Sequence, residues 1–266
     1  MAYDPDLFRG AAAFYERHRA PYAQAAIEFV IERLGLDGAS RLIDLGCGPG
    51  TLARRFAPRV AAVTAMDPDA GMLAQGRRLA ASEAIANIAW MQAGSAELGQ
   101  LQGTFRALVM GQSFHWMDRD QVLADFHRLA EAGGGVALVN PGRRRPQESW
   151  EPVVAAVVER YLGPRPPHPQ RNVEPHHEPA LHRSAFEITA DAEFSSTIRR
   201  DIPSIIGAVY SVSSSTQRRF GKRLGDFETE LGEALRRACP SGTFEETIET
   251  GVVIAVKRPG GPYPQA

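Results

Sequence analysis

One short run, residues 41–51, constrains this chain more than any other. Leu42, Ile43 and Leu45 read as a buried strand, Gly46, Gly48 and Gly50 as a tight turn, and residues 51–56 as the start of a helix. Strand, glycine turn and helix in that order make the first βα unit of a doubly wound nucleotide-binding sheet. Glycine, lacking Cβ, takes positive φ and lets the backbone approach a ligand closely. The helix start then offers unpaired N–H groups to that ligand. A second apolar run, residues 60–66, ends on Asp67, 23 positions after Asp44. An acid at that offset can accept hydrogen bonds from both hydroxyls of a ribose. A turn that served only strand-to-helix geometry would leave Asp67 without a task, so the run predicts a nucleoside site.

Glycine spacing separates the kinds of nucleoside site. A dinucleotide fold calls for G-x-G-x-x-G, whereas Gly46, Gly48 and Gly50 fall as G-x-G-x-G with Asp44 two residues before the first. The run Asp44-Leu45-Gly46-Cys47-Gly48-Pro49-Gly50 resembles motif I of the class I S-adenosylmethionine-dependent methyltransferases. Further on, His115-Trp116, with Asp118 two residues later, resembles the same position in a large bacterial group of small-molecule methyltransferases. The resemblance implies an α/β fold: a doubly wound (Rossmann-like), seven-stranded, mostly parallel sheet with a helical lid insertion. It also implies S-adenosyl-L-methionine as cofactor and a small-molecule acceptor.

The same resemblance assigns residues to the cofactor. The methionine moiety falls to Gly46, Gly48 and the pair Tyr15 and Arg19, and the ribose to Asp67. The adenine falls to Ser95, Ala96 and Met72, and Gln112 stands beside the sulfonium. Asp44, Cys47, Pro68 and Glu97 complete the set, with Trp116 and Tyr210 as expected acceptor contacts. Arg19 suits a carboxylate because its planar fork binds one bidentately. The plain alternative for the aromatic, basic stretch 8–22 is a surface helix with solvated charges. Core packing is the alternative for Met72, and a ligand-free turn for residues 94–97.

Along the chain, Ile27, Val30, Ile31 and Leu34 repeat with helical period, between Pro21 and Gly35. Asp69 is placed to cap a helix carrying Met72, Leu73 and Leu79, and Asp118 with Gln121 makes a capping box for the helix of Val122, Leu123, Phe126 and Leu129. Residues 88–93, 105–110 and 136–139 read as strands three to five. The turn after the fourth begins Gly111-Gln112-Ser113-Phe114-His115, like the G-x-S-x-G elbow of α/β-hydrolases. That elbow needs glycine at its fifth position, where His115 stands. His115 is instead the one candidate for catalysis, since an ordinary imidazole can take an acceptor proton near neutral pH. Its alternative is structural, with the ring bonded within the turn and Trp116 packed on the lid.

Beyond residue 140 the resemblance thins. Residues 142–145 are a short basic loop, and 150–162 fit a helix. Residues 163–183 hold six prolines and four histidines, His168, His176, His177 and His182, with hardly an apolar anchor. No cysteine partners these histidines and their spacing is not helical, which favours a proline-stiffened loop over a metal site. Ile188, Ala190, Ala192, Phe194 and Ile198 alternate as in a strand or hairpin. Residues 202–210 and 220–238 read as helices separated by a break at 211–216, and 252–256 as a buried strand. The expected layout is a single domain: cofactor-capping helices at 1–35, a cofactor-binding core at 40–140, an acceptor-side lid at 141–240 and a last strand at 250–258.

Composition limits the partners. At 266 residues and 44% hydrophobic, the chain can bury a full core. A net charge of −1 provides no field toward nucleic acid or membrane. No run approaches the roughly 20 apolar residues of a membrane helix, and the N-terminus lacks a secretory pattern. Cys47 and Cys239 are the only cysteines, which suits a reducing, cytoplasmic setting. A monomer or homodimer is expected. Arginine outnumbers lysine heavily (only Lys222 and Lys257 are lysine), a bias suggesting a GC-rich bacterial source. Two other functions share motif I. One is a cofactor-binding regulator without turnover. The other is a nucleic-acid methyltransferase, which the charge and the absence of an Asn/Asp-Pro-Pro-aromatic motif after strand four disfavour.

Overall fold

The computed structural model describes residues 14, 17–141, 150–164 and 177–258. The basic run at 142–145, His168 and His176 lie outside the described residues. The described residues divide into two compact units. The larger takes in 22–141, 177–194 and 250–258, and the smaller 14, 17–21, 150–164 and 195–249. The strands are β1 (Arg41–Leu45), β2 (Ala62–Asp67), β3 (Ile88–Gln92), β4 (Phe105–Gly111), β5 (Ala130–Pro141), β6 (Phe186–Asp201) and β7 (Thr243–Lys257). The helices are α1 (Gln24–Leu34), α2 (Thr51–Phe56), α3 (Ala70–Ser82), α4 (Arg119–Leu129), α5 (Glu151–Leu162), α6 (Glu178–Arg183), α7 (Ile202–Tyr210) and α8 (Leu224–Ala238).

The strands form one seven-stranded sheet in the order β3-β2-β1-β4-β5-β7-β6. β1 pairs in parallel with both β2 and β4, β3 with β2 and β5 with β4, while β7 runs antiparallel to β5. This is the mostly parallel, Rossmann-like sheet the sequence predicts. Strand order reverses between β1 and β4, and ligands of open α/β sheets bind at the carboxyl ends beside such a reversal.

Successive side chains of a strand face opposite ways. Leu42, Ala107, Val109, Ala137 and Val139 therefore enter one core, and Ile43, Leu45, Leu108, Met110, Val136 and Leu138 another. The first core is covered by Ile27, Val30, Ile31 and Leu34 of α1, Leu52 and Phe56 of α2, and Leu73 of α3. The second is covered by Val122, Leu123, Phe126 and Leu129 of α4. Each such side chain contributes about 1.5–3 kcal/mol on full burial. Local signals set the helix ends. Gly35 closes α1 in the left-handed conformation, and the Asp69 carboxylate accepts from the Gly71 and Met72 N–H groups at the start of α3. Asp118 accepts from Gln121 N at 3.1 Å to start α4. Lys257 Nζ donates to the His127 and Ala130 carbonyls at 2.8 and 2.9 Å where α4 ends, a favourable place for a cation.

Two strand boundaries differ from the sequence reading. β5 starts at Ala130, six residues before the apolar run at 136, with a register shift against β4 between Phe105 and Ala107. β7 starts at Thr243, nine residues before Val252, because Phe244, Glu246, Ile248 and Thr250 all point inward. Two of those four are polar, so an apolar-run criterion stops short. The proline- and histidine-rich stretch does have an apolar anchor. Pro179 opens α6, whose Ala180 and Leu181 are fully buried in the second core of the larger unit.

The smaller unit has its own core, in which α5 and α7 pack against α8 around Val157, Ile205, Tyr210, Phe227 and Leu231. The Phe220 and Phe227 rings stack with centroids 4.0 Å apart. Residues 217–223 form two 3₁₀ turns, so α8 begins at Leu224. Arg200 and Glu246 form an ion pair with side chains only 6% and 5% exposed, and Arg200 also donates to the His18 carbonyl at 2.8 Å. Among the described residues no helix is long and apolar enough to cross a membrane.

Candidate cofactor site

The turn after β1 is stitched to the end of β2. The Gly46 and Cys47 N–H groups donate to the Met66 carbonyl at 2.8 and 3.0 Å, and Gly48 N–H donates to Asp67 Oδ2 at 2.8 Å. Gly46, Gly48 and Gly50 have φ of +70°, +55° and +75°, a region that other L-residues avoid. Gly46 also lacks space, since a Cβ there would lie 2.5 Å from Ser113 Cβ. Gly48 is the opposite case: among the described residues, its chain neighbours aside, no heavy atom lies within 4 Å of that position. The backbone there is bare toward open space, as a ligand cradle requires.

Two carboxylates flank the cradle. Asp44, on β1, accepts from Ala53 N at 2.8 Å and so caps α2 from across the turn. Asp67, at the end of β2, accepts from Gly48 N and, through Oδ1, from Asp69 N at 2.9 Å. They are 1% and 9% exposed. Burial raises Asp44 to about 7, opposed by the Ala53 N–H and assisted by the Asp67 charge. Burial raises Asp67 to about 6 against the pull of the Asp69 and Gly48 N–H groups. Burial also pushes the Cys47 thiol well above its ordinary value, so it stays protonated. Among the described residues both carboxylates accept only from backbone N–H groups, and no cationic side chain sits on either. An uncompensated negative pair beside a bare backbone fits a ligand that brings hydroxyl donors and positive charge.

Two further turns reach the same place. Ala93 N donates to the Asp67 carbonyl at 3.2 Å, which brings up the 3₁₀ turn Ser95–Gln100. Within it Ser95 is half-buried and Ala96 exposed, and Glu97 accepts from Gly94 N at 2.8 Å to hold the turn. Pro68 accepts from Gln92 Nε2 at 3.3 Å, and Met72 is buried in the first turn of α3. After β4, Gln112 sits at φ +55° with its N–H on the Val139 carbonyl at 3.1 Å. That conformation costs a non-glycine residue about 1–2 kcal/mol and marks a turn held by its surroundings. Ser113 Oγ donates to the Leu45 carbonyl at 2.6 Å. The sequence presents Ser113 only as part of an elbow-like turn; its position opposite Gly46, where only a small side chain fits, depends on the register of β1 and β4.

Residues 42–134 match the family model of the methyltransferase domain. Over that segment the chain is similar to a methyltransferase domain. The chain is 32% identical over 133 residues to an uncharacterized methyltransferase of Mycobacterium tuberculosis, covering 50% of this chain and 51% of the relative. It is 28% identical over 132 residues to the malonyl-[acyl-carrier protein] O-methyltransferase of Enterobacter lignolyticus, covering 49% and 50%. The chain thus spans about half the length of the relatives it matches. A solved structure from Anaeromyxobacter dehalogenans, assigned as a type II methyltransferase, superposes with a TM-score of 0.63 at 23% identity. It covers 90% of this chain and 97% of that one, a likeness of fold.

The matched segment and the larger unit around it hold Asp44, Gly46, Cys47, Gly48, Asp67, Pro68, Met72, Ser95, Ala96, Glu97 and Gln112 at or just beyond the carboxyl ends of β1 to β4. His115 and Trp116 follow in a 3₁₀ turn, half-buried, with ring centroids 5.2 Å apart. Arg19 and Tyr210 belong to the smaller unit, where Arg19 Nη1 lies 3.5 Å from the Ser211 carbonyl. Tyr210 is interior, its hydroxyl donating to Glu228 Oε1 at 2.9 Å, and burial raises its pKa further. As it stands, this residue supports the core of the smaller unit. Tyr15 lies outside the described residues. Among the described residues no three His, Cys, Asp or Glu side chains stand together as metal ligands.

Proposed function

We propose that the protein is an S-adenosyl-L-methionine-dependent methyltransferase that acts on a small-molecule acceptor. One observation carries this reading: Asp67, a buried carboxylate that among the described residues has only backbone donors, beside a Gly48 whose Cβ position those residues leave open. When bound, S-adenosyl-L-methionine supplies a methyl group on a sulfonium, already activated for in-line displacement. The chain's own part is then to bind and align. Asp67 accepts the ribose hydroxyls, the Gly46–Gly48 backbone lies along the methionine moiety, and Ser95, Ala96 and Met72 border the adenine. Gln112 stands beside the sulfonium, with Arg19 and Tyr15 assigned to the methionine carboxylate. Alignment of this kind contributes about 7–11 kcal/mol to a two-reactant step. We assign the cofactor to residues 40–140 and acceptor selection to 141–240, with Trp116 as an acceptor contact and Tyr210 in a supporting place within the core of the smaller unit. The net charge of −1 supports a small acceptor over nucleic acid.

Calorimetry tests the cofactor directly. S-adenosyl-L-methionine and its demethylated product are expected to bind and NAD is not. Asp67→Ala is expected to weaken binding by about 1.5–3 kcal/mol, the range for hydrogen bonds to a charged group. Equal affinity in variant and parent would remove Asp67 from the ribose, and tight NAD binding would overturn the cofactor.

We assign His115 to the turn rather than to proton transfer, since its ring lies against Trp116 in a helical turn. Labelled cofactor and fractionated host extract identify an acceptor for the assay. With that acceptor His115→Ala is expected to keep turnover within a few-fold of the parent. A loss on the order of 10²–10⁴-fold with cofactor affinity intact, and a pH profile missing its neutral limb, would make His115 the base.

A further inference from the structure

Trp90, on the edge strand β3 opposite Ala65 of β2, reaches two bare backbones with the tip of its indole. A Cβ on Gly50 would lie 2.3 Å from Trp90 Cη2 and 2.9 Å from Cζ3. A Cβ on Gly76, in the middle of α3, would lie 2.4 Å from Cζ3, 2.5 Å from Cη2 and 3.0 Å from the Pro49 carbonyl oxygen. No side chain fits at either position while the ring is there. Three elements thus meet at one indole: the glycine turn, α3 and β3. Arg77 Nη2 adds a bond from α3 to the Trp90 carbonyl at 3.2 Å. Glycine inside a helix costs about 1 kcal/mol relative to alanine, and the ring accounts for its presence at position 76.

The contact bears on the cofactor cradle because its two walls are the parts that touch the ring. The glycine turn carries the open Gly48, and α3 carries Met72 one turn before Gly76. We propose that Trp90 is a positioning residue: its indole, wedged against Gly50 and Gly76, sets the separation of the glycine turn from α3, so that one ligand spans both. The ring fills the gap between the two backbones, so removing it, or adding a methyl against it, changes the spacing unless the filled volume is kept. The proposal rests on the S-adenosylmethionine reading, in which the methionine end lies on the turn and the adenosine end on the α3 side.

Fragment binding separates the two walls. Calorimetry with adenosine and with S-adenosylhomocysteine, on the parent, Trp90→Ala and Gly76→Ala, compares a ligand confined to one wall with one that spans both. Adenosine affinity is expected to stay within about twofold of the parent, while S-adenosylhomocysteine affinity falls about tenfold or more in both variants. The pair Gly76→Ala with Trp90→Leu is expected to recover most of that loss, because the smaller side chain makes room for the new methyl. Thermal midpoints confirm that each variant is folded, and where Trp90→Ala is not, the other two carry the comparison. An unchanged ratio of the two affinities, or equal losses for both ligands, would overturn the role of Trp90. A parent that binds neither ligand would overturn the cofactor reading instead.

Discussion

Lowering the pH from 8 to 5 is expected to stabilise the ligand-free protein and, over the same range, to loosen its hold on S-adenosyl-L-methionine. Both effects come from Asp44 and Asp67, raised by burial from 3.8 to about 7 and about 6. The folded state keeps protons that the unfolded chain releases near pH 4, so it binds more protons between about pH 4 and 7. Stability therefore falls as pH rises through that window. At about 1.4 kcal/mol per unit, raises of some two and three units correspond to an effect on the order of several kcal/mol. The ligand acts in the opposite sense. Hydroxyl donors and a sulfonium favour the ionised carboxylates, so affinity is lost as pH drops through about 7 to 6 and binding near neutrality releases protons. The Asp69 charge also raises Asp67, as the smallest of the causes acting on it. Urea denaturation at pH 5, 6, 7 and 8 is the check, on the parent and on Asp67→Asn. The parent should lose stability with rising pH more steeply than the variant, and identical slopes would show that Asp67 is already ionised throughout.

Arg200→Ala is expected to destabilise the smaller unit by about 3–5 kcal/mol. Truncation leaves the Glu246 carboxylate buried and unpaired, and an uncompensated interior charge is far costlier than a missing surface pair. It also removes the donor to the His18 carbonyl, which holds the segment leading to Arg19. The cost lies in the stranded charge rather than in the attraction, so replacing both partners by apolar residues is expected to recover most of it. Arg200→Met with Glu246→Met should come within about 1–2 kcal/mol of the parent. Urea denaturation distinguishes the cases. A cost below about 1 kcal/mol for Arg200→Ala would mean that solvent reaches the pair in solution.

The sequence by itself determined the parts whose signals are local. Residues 41–56 carry strand, glycine turn and helix within a span where each piece constrains the next. Asp69 and Asp118 cap their helices through residues two or three positions on, and the alternation from Ile188 to Ile198 marks β6. Asp67 was legible because the βα geometry fixes its distance from Asp44 along the chain. Only the tertiary structure decided which polar residues turn inward. Glu246 and Thr250 continue β7 because Arg200 and the Ala23 N–H meet them from distant segments, so no apolar run announces them. Leu181 is an anchor only because α6 closes on a core built by β4, β5 and α4. Ser113 faces Gly46, and Trp90 faces Gly50 and Gly76, through strand register and helix packing. A small residue reads alike in any sequence, and its reason for being small is the side chain that the fold brings against it.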